Sequence, residues 1–395
     1  MINLFMGEIK MTYRFLSVLV IYVALLISWP VQALEVKSDL TGDIAIEIQE
    51  ALMDKGLLKS DDKDTHLVIE KVNKGISGAD KYQIKVISGS NTQLYFLRFF
   101  DKAADNLSHD LEIALTTFAY ENYFGPEVYY VDPHHTYMII GFLQGHPMTM
   151  QEANDPQYFE KVAQILGLVH HFPHEKIFYA PLFKKVTNFM NEFIKRDTPM
   201  LDLFQNHYEI VKEIEGVLDL YIPIAVVHND FHNDNIIVDP ASKAVPISVI
   251  DWESAGLGNP YYDLAYFTVR NDMDDSNKVR FLKAYLGRDP TEQEEAYLYL
   301  TEQFYLYYRA MKYFAEIYQQ KGVVLTEADH RALRDFYKSD WTLKEVLHHE
   351  KDAKLAEAMP KSVPIHVKSA LVYLKTFEQN VQSPEFQKRM ALFKK

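Results

Sequence analysis

Val226-Val227-His228-Asn229-Asp230-Phe231-His232-Asn233-Asp234-Asn235-Ile236-Ile237-Val238 is an apolar run broken by eight polar or aromatic residues. Downstream, Ile247-Ser248-Val249-Ile250-Asp251-Trp252-Glu253 ends an apolar strand on a carboxylate. Between them Asp239-Pro240-Ala241-Ser242 reads as a turn, so Ile236 to Val238 and Ile247 to Ile250 are expected to form a hairpin. Folding about that turn brings Asn235, at the start of one strand, beside Asp251, at the end of the other. An amide oxygen next to a carboxylate, with Asp230 one loop away, offers hard oxygen ligands of the kind Mg²⁺ takes while it keeps positions for water and phosphate. His-x-Asp-x-x-x-x-Asn followed by a strand-terminal Asp is also the pattern in which a loop Asp accepts a hydroxyl proton and the Asn and later Asp hold metal. A second reading makes His228, Asp230 and His232 a zinc or iron cluster of a hydrolase, since imidazole and carboxylate suit those metals. That reading leaves Asp251 and the Asp263 segment without a role.

Outward from this loop the periodicity separates two regions. Asp43 to Leu57 carries Ile44, Ile46, Ile48, Leu52 and Leu57 on an imperfect apolar helical face, with Gly56 near its end. The period then changes to two over His66 to Val72, Lys81 to Ile87 and Gln93 to Phe99, with Gly75, Gly78, Gly89 and Asn91 in the turns, which predicts an antiparallel meander. Ser108 is placed to cap a helix with Leu111, Ala114, Leu115 and Phe118 at helical spacing and with Asp110 and Glu112 in its first turn. A strand pair follows, Val128 to Val131 and Tyr137 to Phe142; from Gln151 onward the pattern is mostly helical. The expectation is an α+β, two-lobed chain, a small antiparallel sheet lobe over residues 34–143 and a larger helical lobe over 144–395, hinged at Phe142 to Gly145. Gly145 itself reads equally as a turn glycine or a functional one.

Composition narrows the chemistry. The 395 residues carry 41 Lys and Arg against 55 Asp and Glu, a net charge of -14 that repels a nucleic-acid backbone, so no nucleic-acid partner is expected. Cysteine is absent, which excludes disulfides, thiolate nucleophiles and Cys-ligated metals. Aromatic residues reach 13%, and Tyr297, Tyr299, Phe304, Tyr305, Tyr307, Tyr308, Tyr313, Phe314 and Tyr318 fall at helical spacing, most of them expected in the core.

His228-Asn229-Asp230 with Asn235, then Ile250-Asp251-Trp252-Glu253 and Asn259-Pro260-Tyr261-Tyr262-Asp263-Leu264-Ala265, resemble the signatures of the aminoglycoside phosphotransferase and choline/ethanolamine kinase superfamily, most closely its choline-kinase-like members. The resemblance extends more weakly from about Leu67 to Tyr318. It implies a protein-kinase-like fold that uses ATP and Mg²⁺ to phosphorylate a small-molecule hydroxyl. Asp230 is then the catalytic base, Asn235 and Asp251 the Mg²⁺ ligands, and His228 and Asp263 supports of the loop. Arg98 takes the place of the phosphate-binding cation and Glu112 that of its ion-pair partner. The turn from Asn73 to Ala79, with Gly75 and Gly78, covers the phosphates, and backbone near Ile140 to Phe142 meets adenine. Read alone, Arg98 is a surface charge on a two-sided sheet and Glu112 a solvated first-turn glutamate. The loop departs from relatives at Phe231-His232-Asn233-Asp234, where Gly or Pro is commoner near the last two positions.

The acceptors suggested by this resemblance are small and cationic, such as choline, ethanolamine, thiamine or an aminoglycoside. Aromatic faces and acidic side chains attract a quaternary ammonium, and Trp252, Glu253 and Tyr308 are the candidates. A pseudokinase, binding nucleotide without catalysis, is the alternative. It gains weight from the N-terminus: Lys10 and Arg14 precede a stretch without charge from Phe15 to Leu34, followed by Val31-Gln32-Ala33. Residues 1–33 read as a signal peptide cleaved after Ala33, with Met11 an alternative start, or as an uncleaved anchor. Export conflicts with a need for ATP unless the destination contains it; an anchor on a cytoplasmic membrane face removes the conflict. The segment from Lys361 to Lys395 has seven Lys or Arg against Glu378 and Glu385 and reads either as a solvated helix face or as a basic surface for anionic lipid.

Overall fold

The computed structural model describes residues 35–40, 43–59, 65–72, 80–102, 104, 106–173, 182–196, 200–221, 224–243, 246–315, 325–349, 363 and 365–393. The segment 1–33 and the turn containing Gly75 and Gly78 lie outside these residues. The chain divides into two compact units, Met1–Phe100 with Tyr129–Phe142, and Asp101–Val128 with Leu143–Lys395.

The first unit is built on a six-stranded sheet. Its strands are β1 (Glu35–Ser38), β2 (Thr65–Lys71), β3 (Lys81–Ser88), β4 (Asn91–Phe99), β5 (Val128–Val131) and β6 (Tyr137–Gly141), in the order β1-β2-β3-β4-β6-β5. The expected meander is present, with Ile69 opposite Ile84 and Ile84 opposite Tyr95. Alternation puts Leu67, Ile69, Tyr82, Ile84, Val86, Tyr95 and Leu97 on one face, where Ile48, Ala51 and Leu52 of helix α1 (Asp43–Asp54) complete the core. Helix α1 stops at Gly56, whose φ of 67° suits glycine, with Gly56 N–H on Met53 O and Leu57 N–H on Leu52 O. The parallel pairing of β1 with β2 has no counterpart in the sequence reading.

The second unit is helical. Helix α2 (Asn106–Glu121) begins before Ser108, so Ser108 lies inside it and Asp110 and Glu112 fall in its second turn. Its Leu111, Leu115 and Ala119 join the core of this unit. Three short strands, β7 (His146–Pro147), β9 (Ile236–Val238) and β10 (Ile247–Val249), form one sheet, while β8 (Ala225–Val227) pairs with β11 (Gly256–Gly258). The predicted hairpin is β9-β10, with Ile236 opposite Val249. Around these lie α3 (Met150–Ala153), α4 (Pro156–His170), α5 (Leu182–Lys195), α6 (Leu201–Tyr221), α7 (Tyr261–Arg270), α8 (Asp275–Leu286), α9 (Glu292–Phe314), α10 (Glu327–Tyr337), α11 (Leu343–His349), α12 (Ile365–Val381) and α13 (Pro384–Ala391).

Helix α9 is the axis of this unit. The aromatic run behaves as expected: Phe304, Tyr305, Tyr307, Tyr308, Tyr313 and Phe314 are all buried. Helix α12 packs along α9, with Tyr373 6.3 Å from Tyr305 and Phe377 5.2 Å from Tyr307 between ring centres. Val367, Ala370, Leu371, Leu374 and even Lys368 are buried there, so the middle of the basic segment is core and not a solvated face. Lys375 donates to Ser339 O at 2.6 Å, and Arg389 of α13 pairs with Glu385 at 2.6 Å. Each apolar side chain so buried stabilises the fold by about 2 kcal/mol.

Gly145 has φ of 105°, and a Cβ built on it would lie 2.2 Å from Val238 O. It lets the chain enter β7 against β9, next to the loop that follows β8. Gly145→Ala is therefore expected to destabilise the protein by about 2 kcal/mol or more, measurable as a lower urea midpoint. An unchanged midpoint would show that β7 can move away without cost.

Candidate active site

The loop after β8 is held by one buried carboxylate. Asp263, in the first turn of α7, accepts the backbone N–H of His228 at 2.7 Å on Oδ2 and that of Asn229 at 2.9 Å on Oδ1. His170 Nε2 of α4 lies 3.2 Å from the same Oδ2, and His170 Nδ1 lies 2.9 Å from the Tyr285 hydroxyl of α8. With Nε2–H donating to Asp263 and Nδ1 accepting from Tyr285, a neutral imidazole satisfies both contacts. Asn229 has φ of 64°, the left-handed conformation that turns consecutive N–H groups toward one carboxylate.

His228 is fully buried, and both of its ring nitrogens are in use. Nδ1 accepts the N–H of Asp230 at 3.3 Å, which puts the proton on Nε2, 3.0 Å from Ile250 O. Its ring sits 4.7 Å from Trp252 and 5.5 Å from Phe231. This geometry removes the hydrolase reading, because His228 has no nitrogen left for a metal.

Asp230 carries the chemistry available at the loop. Its Oδ1 accepts the Tyr266 hydroxyl at 3.0 Å and its Oδ2 lies 3.3 Å from His232 Nε2. His232 Nδ1 accepts the Asp234 N–H at 3.2 Å, so Nε2 is the protonated nitrogen and donates. Burial pushes the Asp230 pKa up, but the His232 hydrogen bond, with the charges of Lys312 and Arg309, outweighs burial and holds it well below the usual carboxylate range. The side chain keeps 34% of its surface exposed, enough for a ligand to reach it.

Asn235 and Asp251 meet as the hairpin predicts. Ile250 N–H donates to Asn235 O at 3.0 Å, which sets Asp251 immediately beside Asn235. Asn235 Nδ2 donates to Asp230 O at 3.0 Å, so the network makes Oδ1 the acceptor end of this buried amide. Asp251 is a non-glycine residue at φ 70° and ψ 60°, a conformation that costs about 1–3 kcal/mol and collects at functional positions. Val249 N–H donates to Phe124 O at 2.8 Å, tying the strand that leads to Asp251 to the end of α2. Among the described residues no cluster of three or more His, Asp or Glu forms a metal cage. The acceptor oxygens of Asn235 and Asp251 are hard donors of the kind that Mg²⁺ takes.

The remaining expected positions are placed as follows. Arg98 is buried on β4, opposite Met138 of β6 and Lys81 of β3, so it is not a surface charge. Glu112 is 3% exposed on α2, so it is not a solvated glutamate. Ile140 is buried in β6 and Phe142 is half-buried just after it. Trp252 is 2% exposed and Tyr308 5% exposed. The indole packs on His228 and the phenol stacks on Phe304 at 6.2 Å, so both rings spend their faces on the core. Glu253 is half-buried.

Tyr266 and His170 are absent from the sequence reading. Tyr266 had a usable signal: it stands one helical turn after Asp263, hence on the same face of α7. His232, a metal ligand in the hydrolase reading, is a donor to Asp230. His170 reaches the site from a distant element and carries no local signal.

A family model described as the phosphotransferase enzyme family matches residues 72–298. A choline/ethanolamine kinase family protein from Mesorhizobium loti superposes with a TM-score of 0.57 at 15% identity, over 82% of this chain and 91% of that one. A mutant of aminoglycoside 2'-phosphotransferase-IIIa in its GDP complex superposes with a TM-score of 0.51 at 13% identity, over 86% and 98%. Acyl-CoA dehydrogenase family member 10 of Mus musculus is 43% identical over 53 residues, which are 12% of this chain and 5% of that protein.

Removing the Asp263 carboxylate leaves two buried N–H groups and His170 without an acceptor. Asp263→Ala is expected to cost about 3 kcal/mol of stability, read by urea unfolding. A loss under about 0.5 kcal/mol, the level of a neutral surface change, would mean that the loop is held by something else.

Proposed function

The chain belongs to the phosphotransferase enzyme family, and we propose that it transfers the terminal phosphoryl group of ATP to the hydroxyl of a small molecule. The observation that carries this reading is Asp230, fixed between Tyr266 and His232, with Asn235 and Asp251 joined beside it by the Ile250–Asn235 backbone bond.

Asp230 accepts the hydrogen bond of the acceptor hydroxyl and directs its oxygen at the terminal phosphorus. As the new O–P bond forms, the bond from that phosphorus to the bridging oxygen breaks, ADP leaves with the electron pair, and the hydroxyl proton passes to Asp230. A carboxylate held below its usual pKa is a weak base, so its main contribution is orientation, with the proton moving late, as a loose transition state permits. Tyr266 and His232 each occupy one Asp230 oxygen, which fixes the carboxylate plane. Asn235 Oδ1 and the Asp251 carboxylate would hold Mg²⁺, whose charge offsets that of the phosphates. In the first unit, Arg98 neutralises phosphate and the backbone at Ile140 to Phe142 meets the base. The GDP complex of the aminoglycoside 2'-phosphotransferase supports a nucleotide as donor.

The test is ADP release from ATP by the purified chain, with and without Mg²⁺, against choline, ethanolamine, thiamine and an aminoglycoside. Asp230→Ala is expected to abolish acceptor-dependent turnover while ATP affinity is retained; normal turnover in that variant removes Asp230 from the mechanism. Tyr266→Phe keeps the ring contact with Tyr305 at 4.8 Å and is expected to lower kcat about tenfold, with thermal stability nearly unchanged. An equal fall in stability and rate would make Tyr266 a packing residue only. ATP binding without transfer to any acceptor would favour the pseudokinase alternative.

A further inference from the structure

Resting on the phosphotransferase reading, the tyrosine wall behind Asp230 contains a further residue on which the carboxylate depends. Arg309 of α9 is 6% exposed, and among the described residues it makes no ion pair with a carboxylate. Its guanidinium carbon lies over three tyrosine rings instead, 4.4 Å from the ring centre of Tyr313, 5.1 Å from that of Tyr266 and 5.9 Å from that of Tyr305. One Nη donates to the Tyr313 hydroxyl, and Nε is buried with no hydrogen-bond partner. A buried guanidinium normally pairs with an acid. Here ring faces hold the cation without neutralising it.

Of these rings, Tyr266 is the one that reaches the loop. Its hydroxyl donates to Asp230 Oδ1 at 3.0 Å, while its ring packs 4.8 Å from Tyr305 and edge-on at 6.0 Å to Tyr262. A cation over the face of a phenol draws electron density from the ring and its oxygen, so the hydroxyl becomes a stronger donor. Burial raises the Tyr266 pKa and the Arg309 charge opposes that rise, which is the same effect at the oxygen. Packing alone does not call for a charge at this position. A methionine fills space against aromatic rings, and it avoids the cost of taking a cation out of water. Asp234, Asp251 and Glu253 stand on and after the same loop, so net charge does not single out Arg309; its contact with the Tyr266 ring does.

We propose that Arg309 is a positioning residue for phosphoryl transfer: set over the Tyr266 ring, it strengthens the hydrogen bond from the Tyr266 hydroxyl to Asp230 and thereby fixes the carboxylate that aims the acceptor oxygen. It acts through Tyr266 and not by contact with the reacting atoms.

The experiment uses the full chain and two measurements. One is the NMR signal of the Tyr266 hydroxyl proton in protein labelled with carbon-13 at tyrosine Cζ, assigned by its disappearance in Tyr266→Phe. The other is ADP release from ATP and Mg²⁺ with the acceptor that supports turnover among choline, ethanolamine, thiamine and an aminoglycoside. Arg309→Met is expected to move the Tyr266 proton upfield, the direction of a weaker hydrogen bond, and to lower kcat about fivefold with the KM for ATP unchanged. In a chain already carrying Tyr266→Phe, Arg309→Met is expected to change kcat by less than about twofold, because the hydroxyl through which it acts is gone. Arg309→Lys keeps the charge without the planar stacking and is expected to fall between the wild type and Arg309→Met in both measurements. The proposal is overturned if the Tyr266 proton does not move in Arg309→Met, if kcat stays normal, or if the effects of the two substitutions multiply, as they would for packing alone. Should Arg309→Met not fold, an Arg309→Lys chain in which kcat falls and the proton stays, or in which neither moves, overturns it. A Tyr266 proton that moves in a chain that phosphorylates none of these acceptors upholds the coupling of Arg309 to Tyr266 and counts against the phosphotransferase reading instead.

Discussion

One carboxylate, that of Asp263, fixes the geometry on which the site depends. It is buried, it sits where the first turn of α7 favours an anion, and it takes hydrogen bonds from two successive backbone N–H groups and from His170. Three elements distant in sequence, α4, the loop after β8, and α7, are thereby held at one point. A loop left to itself would not keep Asn229 at positive φ, because the left-handed region is unfavourable without such a partner. Once Asn229 is held, the His228 ring turns inward to Ile250 O, and Asp230 is left facing Tyr266 and His232.

The parts of this arrangement legible in the sequence are those encoded by local patterns. Strand alternation located β2, β3 and β4, and the Asp239-Pro240 turn located the β9-β10 hairpin, which was enough to put Asn235 beside Asp251. Contacts that join distant stretches were not legible. The pairing of β1 with β2 depends on four backbone positions with no pattern of their own, and His170 has nothing nearby to distinguish it from any helix-terminal histidine. Trp252 and Tyr308 illustrate a different limit. Residue type suggested ring faces offered to a ligand, whereas packing density decides whether a face is free, and here both rings are enclosed. The charges of the basic segment suggest a surface, but apolar residues stand between them and are buried. Val367, Leu371, Leu374 and Phe377 recur at three- and four-residue spacing and match the buried stripe of α12.

The tyrosines of α7 and α9 serve packing and polarity together. Tyr262, Tyr266 and Tyr305 are enclosed, and burial raises the pKa of each, so the hydroxyls stay un-ionised at any ordinary pH, and that of Tyr266 donates to Asp230. A phenylalanine core of the same size would hold α7 on α9 equally well, but it would offer Asp230 no donor. The same rings give Arg309 a place in the interior without an acidic partner.

The position of α12 has a consequence for how the protein comes into being. Helix α9 ends at Phe314, and the helix that covers its Tyr305, Tyr307 and Tyr313 runs from Ile365 to Val381. During synthesis at roughly 5–20 residues per second, the ribosome completes the loop and the tyrosine wall several seconds before their cover exists. Through that interval the wall is an exposed aromatic surface, a target for chaperones and a risk for aggregation. The site is therefore finished after translation of α12, and a polypeptide interrupted shortly after α9 would contain every residue of the loop yet lack the helix that encloses its tyrosine wall.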